Sequence, residues 1–166
     1  MEKNKVVYIF IGFIIFLVAI FFLLFFPVDS TPGFPLFEPG YLPESVGGLV
    51  REEIRNLTLS VEYKRSYAYG NETGFYIFEN KFYENKSDEK RMQSDFDDFK
   101  SERWNIVQKT EVSGFPALYV KERERYGRLY VYREGYRILI SVSPQDPQLS
   151  KDELEKIASS LKRSQI

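Results

Sequence analysis

The stretch that decides the fold class runs from Leu57 to Tyr69 and reads LTLSVEYKRSYAY. Its apolar and aromatic residues stand at odd positions, namely Leu57, Leu59, Val61, Tyr63, Tyr67 and Tyr69. Polar residues alternate with them at Thr58, Ser60, Glu62, Lys64 and Ser66. Because successive side chains of a strand point to opposite faces of a sheet, this alternation predicts a β-strand with one buried and one solvated face.

Strand patterns continue after this stretch. Asn71–Gly74 predicts a hairpin loop that leads into a strand over Phe75–Tyr83. Short connections, including Glu134-Gly135, require antiparallel neighbours because a parallel pair needs a longer crossover. Four further strands are predicted over residues 106–112, 117–125, 128–133 and 136–143.

Three segments have helical periodicity. The apolar residues of Glu44–Arg55 recur at i, i+3, i+4 and i+8, although Gly47 and Gly48 weaken this helix. Ser87–Trp104 is amphipathic, and Ser150 with Glu153 forms a capping box before a third apolar stripe. The order αββαββββα predicts an α+β domain over residues 44–166, with an antiparallel sheet of about six strands covered by about three helices.

An uninterrupted apolar run extends from Val6 to Phe26. As a helix it would be about 31 Å long, which matches a hydrocarbon core of about 30 Å. The run is longer than the apolar region of a cleavable signal peptide and has no small-x-small cleavage site, so it predicts an uncleaved transmembrane signal anchor. The Pro-rich residues 27–43 predict an extended, semi-rigid linker after it.

Charge beside the apolar run predicts its orientation. Lys3 and Lys5 precede the span, whereas no Lys or Arg follows it until Arg51. The positive-inside rule therefore places residues 1–5 in the cytoplasm as a short stub and the C-terminal domain outside the cell membrane.

Composition excludes several kinds of chemistry. The 166-residue chain has no Cys and no His, which excludes disulfides, thiolate nucleophiles and the commonest metal ligand and general base. A net charge of −1 gives no general attraction to nucleic acid. We therefore predict no cofactor, no metal site and no nucleic-acid partner.

The last third of the chain carries a recognisable pattern in four pieces, 112–120 (VSGFPALYV), 127–131 (GRLYV), 134–140 (EGYRILI) and 149–161. It resembles the C-terminal half of a broad group of small extracytoplasmic α+β domains, many of unassigned function. Such domains stand behind signal anchors, on lipoproteins and on membrane-bound anti-sigma factors, and are similar in outline to the Mog1-like and photosystem extrinsic-protein fold. The resemblance implies a fold and an extracytoplasmic address but no catalytic residue.

Three Asn-x-Ser/Thr sequons begin at Asn56, Asn71 and Asn85. On an exported domain they are candidate glycosylation sites, and chance occurrence is the alternative.

Basic residues alternate along one predicted strand at Lys121, Arg123 and Arg125, and Arg128 follows on the next strand. Together they are a candidate contact for lipid headgroups, anionic glycans or an acidic partner. The alternative is a charged sheet edge that discourages aggregation.

Two further clusters are candidate sites. Asp95, Asp97 and Asp98 are close enough in sequence for acid–base work or a hard cation, but interspersed Lys and Arg favour a solvated helix face. The many tyrosines of the strands are explained mostly by packing, with a ligand groove as the alternative.

These patterns predict a single-pass membrane protein whose extracytoplasmic domain is a binding, sensing or accessory module and not an enzyme. Its expected partners are the lipid bilayer and another membrane or cell-surface protein, or a surface glycan. Two alternatives stay open: a carboxylate-dependent hydrolase of surface glycans, which needs two converging carboxylates, and a small subunit of a larger membrane complex.

Overall fold

The computed structural model describes residues 37–70, 72–123 and 126–164. The predicted cytoplasmic stub, the predicted span at residues 6–26 and most of the predicted linker lie outside the described residues. Within the described ranges, neither helix has the length and hydropathy needed to cross a bilayer.

The described residues form nine strands and two helices. The strands are β1 (Phe37–Pro39), β2 (Val46–Asn56), β3 (Ser60–Tyr69), β4 (Glu72–Phe82), β5 (Asn105–Val112), β6 (Phe115–Glu122), β7 (Tyr126–Arg133), β8 (Tyr136–Val142) and β9 (Leu161–Arg163). The helices are α1 (Asp88–Ser101), between β4 and β5, and α2 (Lys151–Ser159), between β8 and β9.

Seven strands form one antiparallel sheet in the order β2-β3-β4-β8-β7-β6-β5. The first strand, β1, pairs instead with the last strand, β9, in an antiparallel two-stranded ribbon. The predicted α+β class and the antiparallel pairing are therefore confirmed. The strand count exceeds the prediction, because about six strands were expected in the sheet and the ribbon was not expected at all.

The predicted first helix over Glu44–Arg55 is wrong, because Val46–Asn56 is the edge strand β2. Gly47 and Gly48 disfavour a helix, and the ladder to β3 satisfies the backbone groups of the segment instead. Two register shifts interrupt this ladder, so the strand shows no regular alternation of apolar residues. Two helices, not about three, cover the sheet.

The alternation predicted for residues 57–69 is reproduced in β3. Val61, Tyr63, Tyr67 and Tyr69 are buried, as predicted. Leu57 and Leu59 precede the first residue of β3 and stay 47% and 75% exposed. The buried face of β3 therefore begins later than the pattern indicates.

Both surviving helices begin at the serines that the sequence indicates. The Ser87 side chain accepts a hydrogen bond from the Lys90 backbone N–H at the start of α1. At the start of α2, Ser150 and Glu153 form the complete capping box. Local signals of this kind are read correctly because capping depends on residues three positions apart.

The two helices lie on opposite faces of the sheet. Helix α1 places Met92, Phe96 and Phe99 on a cluster formed by Leu118, Val120, Tyr130 and Tyr132 of β6 and β7. On the other face, α2 contacts β5, β7 and β8 and buries Leu154, Ile157 and Ala158. The half of the sheet nearest β2 has no helix among the described residues that contacts it as closely.

Candidate functional site

The candidate glycosylation sites are accessible where the structure describes them. Asn56 is exposed at the end of β2, and Asn85 is exposed between β4 and α1. Asn71 lies outside the described residues. Modification of these asparagines stays a prediction.

The predicted basic residues occupy different faces. Arg128 pairs with Val120 across the β6–β7 ladder and so shares the α1 face, whereas the neighbouring Lys121 points to the other face. Arg123 follows β6 with a positive φ of 50°, and Arg125 lies outside the described residues. Arg128 also forms an ion pair with Glu122 at 2.8 Å. Lys121 and Arg128 are thus not brought together on one face, and their contact with a partner stays a prediction.

The three clustered aspartates of α1, Asp95, Asp97 and Asp98, do not face the same surroundings. Asp95 points to the sheet, where its Oδ2 accepts hydrogen bonds from the Tyr132 hydroxyl at 2.7 Å and from Arg137 at 3.0 Å. Asp97 and Asp98 are exposed. Among the described residues, no group of three or more carboxylates is arranged to hold a metal ion.

Most of the tyrosines considered candidates for a ligand groove are core residues. The buried tyrosines are Tyr63, Tyr67, Tyr69, Tyr130, Tyr132 and Tyr136. Burial raises the pKa of Tyr136 to about 12, which removes its phenolate from physiological chemistry.

The most unusual group of the domain is an ion pair buried between β3 and β4. Arg65 and Glu79 lie 2.5 Å apart, and their side chains are 4% and 0% exposed. The pair sits on the face that carries Tyr63 and Tyr67. Arg65 and Glu79 are diagonal neighbours, two residue pairs apart along the β3–β4 ladder. Two charges removed from water are tolerated only when they are paired and hydrogen-bonded.

The ion pair binds both backbone groups of Phe37, the first residue of β1. The Phe37 N–H donates to the two Glu79 carboxylate oxygens at 3.2 and 3.0 Å. The Phe37 carbonyl accepts a hydrogen bond from Arg65 Nη2. The Phe37 ring is fully buried, 5.5 Å from the Tyr136 ring and 4.8 Å from the Arg133 guanidinium. We call Arg65, Glu79 and Phe37 the β1 clamp.

Burial raises the pKa of Glu79 to about 7, against the opposing effects of Arg65 and of the Phe37 N–H. Desolvation dominates because it disfavours the charged carboxylate more than these partners stabilise it. A carboxyl group with a pKa near 7 is a candidate acid–base catalyst in an open cleft. Glu79 is instead fully enclosed, and its two oxygens are occupied by Phe37 and Arg65.

Sequence reasoning missed this pair. Arg65 stands at an odd position inside the alternating stretch, and Glu79 follows Phe75 and Ile77 with the same period of two. A charged residue of opposite sign at a core-facing position on each of two neighbouring strands was the available signal. Charged residues are rarely fully buried, so this pattern by itself does not favour a core position for either residue.

Two of the open cavities lined by described residues lie beside the sheet. The larger, of about 510 Å³, lies between the β2–β3 turn, the end of β4 and the first half of α1. The smaller, of about 260 Å³, lies over β8 and includes Tyr76, Phe78 and Arg128. Neither cavity is lined by Glu79.

Comparison with known proteins gives one family match and no functional name. The family described as "Domain of unknown function (DUF4367)" matches residues 36–161, more than half of the chain. The matched range begins beside Phe37 and ends at the first residue of β9. No curated protein matches the chain.

Proposed function

The chain belongs to the DUF4367 family of domains of unknown function, and from that premise we propose a membrane-anchored, extracytoplasmic module for binding or sensing, without catalysis. The apolar run at Val6–Phe26 supplies the anchor, and the α+β domain supplies the binding surface. Its partners are then the bilayer and another cell-surface molecule.

The observation that carries this proposal is the β1 clamp. Phe37 lies within the Pro-rich segment 27–43 and precedes the other strands of the domain in the chain, so it stands where a tether would join the domain. A three-residue strand at the end of a domain frays readily unless other groups hold it. Here the buried ion pair holds Phe37, while Ser160 binds the next residues through Gly40 N–H at 3.0 Å and Tyr41 N–H at 3.0 Å. Attachment of this kind suits a domain that is held by its N-terminal end.

The absence of catalysis is supported by the surroundings of Glu79. Burial raises the pKa of Glu79, and its carboxyl group faces Arg65 rather than a second carboxylate. A glycan hydrolase needs two carboxyl groups across a cleft, roughly 5 to 10 Å apart. The clamp offers neither the second carboxyl nor the cleft.

The natural lack of Cys makes the address testable with single-cysteine variants. Asp98→Cys, exposed on α1, should react with a membrane-impermeant maleimide on intact cells. Glu2→Cys, in the stub, should react only after permeabilisation. Labelling of Glu2→Cys but not of Asp98→Cys on intact cells would refute the proposed orientation.

A second candidate role, docking of another surface protein along β2, is favoured by the exposure of this edge strand. Leu49, Val50 and Ile54 are 49%, 58% and 55% exposed, which is unusual for an edge that is left uncovered. Val50→Lys should then abolish a crosslink formed in native membranes, whereas Glu62→Lys, on the neighbouring strand, should preserve it. A crosslink that survives Val50→Lys would exclude the β2 edge as the docking site.

A further inference from the structure

Arg91, in the first half of α1, is a buried cation without a counterion among the described residues. The residue is 5% exposed, yet no carboxylate of the described ranges lies within ion-pair distance of it. Its Nη2 donates to the Glu84 carbonyl at 2.9 Å, and its guanidinium lies 4.0 Å from the centre of the Phe82 ring. A guanidinium has five N–H donors, so most of its hydrogen-bonding capacity is left over.

The two carboxylates that line the same cavity as Arg91 do not neutralise it, because each is bound to another cation. Glu84 pairs with Lys86 at 2.9 Å, and Asp95 pairs with Arg137 at 3.0 Å. The two ion pairs and Arg91 together leave one positive charge at this place. The unpaired charge is that of Arg91, which is the most buried of these five residues.

Arg91 lines the larger cavity, together with side chains that offer apolar surface. Leu59 and Tyr83 line the same cavity and are 75% and 62% exposed, and Phe82 lines it beside the guanidinium. Ser94 adds a hydroxyl group to the wall. The cavity of about 510 Å³ thus combines one uncompensated cation with an exposed apolar wall, a surface that favours contact with an apolar group over contact with water.

We infer that this cavity binds a small amphiphilic carboxylate, whose charged group pairs with Arg91 and whose apolar part covers Leu59 and Tyr83. A buried charge without a partner is unfavourable, and an anionic ligand would compensate it. The planar guanidinium matches a carboxylate through two parallel hydrogen bonds. The inference concerns a site separate from the β1 clamp and goes beyond the proposed tethered module.

The charges around the cavity favour a monoanion over a dianion. Glu84, Lys86 and Asp95 also line the cavity, and Lys86 is already paired with Glu84. A second negative charge on the ligand would therefore find no unpaired cation and would lie near two carboxylates. A phosphate monoester is therefore a poorer match than a carboxylate. The ligand's apolar part has to be short, since the cavity is open to solvent and bounded by only a few side chains.

The test uses 3-phenylpropanoate and its neutral amide as probes of the full-length chain in lipid nanodiscs. Calorimetric titration and saturation-transfer NMR give the affinity of each probe, with empty nanodiscs as the blank. We expect the carboxylate to bind about 10- to 100-fold more tightly than the amide, as a charge-assisted hydrogen bond allows. Phenyl phosphate should bind more weakly than the carboxylate.

Variants locate the site. Arg91→Met keeps packing on Phe82 and should reduce carboxylate affinity to the level of the amide. Arg103→Met removes an equal charge from a guanidinium that lies 5.2 Å from the Trp104 ring, near the end of α1, and should leave affinity unchanged. Leu59→Asn, at a 75% exposed position that does not endanger folding, should weaken binding of both probes.

The inference is overturned if the carboxylate and the amide bind equally, or if neither binds. It is also overturned if Arg103→Met reduces affinity as much as Arg91→Met, because binding then follows the net charge of the chain. Should Arg91→Met fail to fold, the preference of the unaltered chain for the carboxylate and the effect of Leu59→Asn still decide the matter.

Discussion

Two arginines are equally hidden in this domain but have opposite surroundings. Arg65 is 3% exposed and is bound to a carboxylate and to a backbone carbonyl. Arg91 is 5% exposed and has a carbonyl and an aromatic ring but no carboxylate in the described part of the chain. The Arg65 guanidinium binds groups of the protein itself, whereas the Arg91 guanidinium has N–H donors left for a ligand.

The difference shows that burial alone does not define the role of a charged residue. Removing one member of a buried pair leaves the other charge without compensation, which is strongly destabilising. Removing a buried charge that has no partner leaves no such orphan. Substitutions in the β1 clamp should therefore lower the free energy of unfolding much more than substitution of Arg91 in the cavity.

The largest effect is expected for Glu79→Leu. Because the Arg65 charge would stay buried without its partner, the free energy of unfolding at pH 8 should fall by about 3 to 5 kcal/mol. Urea unfolding of the full-length chain in detergent, followed by circular dichroism, measures this. Glu89→Leu, at an exposed position on α1, is the control. A loss below about 1 kcal/mol for Glu79→Leu would show that the clamp does not hold β1.

The next largest effect concerns pH. The pKa of Glu79 is raised from 4.5 to about 7 in the folded chain, so the folded state binds the proton more tightly than the unfolded state does. The resulting stability is fully present below pH 4.5 and is lost as the pH rises to about 7, by on the order of 3 kcal/mol.

Urea unfolding between pH 4.5 and 8 tests this sign, and Glu79→Gln should flatten the profile because it cannot titrate. A profile that instead rises over this range in the unaltered chain, and loses its slope in Glu79→Gln, would mean that Arg65 outweighs desolvation.

The double variant Arg65→Met with Glu79→Leu should lose far less than Glu79→Leu alone. Well-packed apolar residues of similar volume often replace a buried ion pair at little cost, so we expect a stability within about 1 to 2 kcal/mol of the unaltered chain. The single variants and the double variant form a thermodynamic cycle that isolates the coupling energy. If the losses simply add, the two charges do not stabilise each other.

The smallest effect is expected for Arg91→Met. Met keeps apolar contact with Phe82 and leaves no carboxylate unpaired, so the free energy of unfolding should change by less than about 1 kcal/mol, in either direction. The same urea assay applies. A loss as large as that of Glu79→Leu would make Arg91 a structural residue and remove the contrast between the two arginines.

Much of the fold was predictable because its signals are local. The alternation in β3, the turn at Glu134-Gly135 and the caps at Ser87 and Ser150 each depend on residues a few positions apart. The segment Val46–Asn56 was predicted wrongly because its spacing of apolar residues suits a helix, while its neighbour β3 offers a ladder that only the folded chain reveals.

The candidate sites were less predictable. The clamp joins residues 14, 28 and 42 positions apart in sequence, and no local pattern links them. The Arg91 cavity depends on a turn, a strand end and a helix that meet only in the folded domain. Lys121 and Arg128 belong to consecutive strands and were expected to share one surface, but the β6–β7 register puts them on opposite faces.

By itself, the sequence determined the apolar N-terminal run, the α+β class and most strands, and it excluded cysteine and histidine chemistry. These features depend only on composition and on residues a few positions apart, so no distant segment is needed to define them. Only the tertiary structure decided that β2 is a strand, that β1 joins β9, and which buried arginine meets a carboxylate. Those outcomes depend on which distant segments exclude water together, since the stability of a buried charge is set by what lies within a few ångströms of it in space.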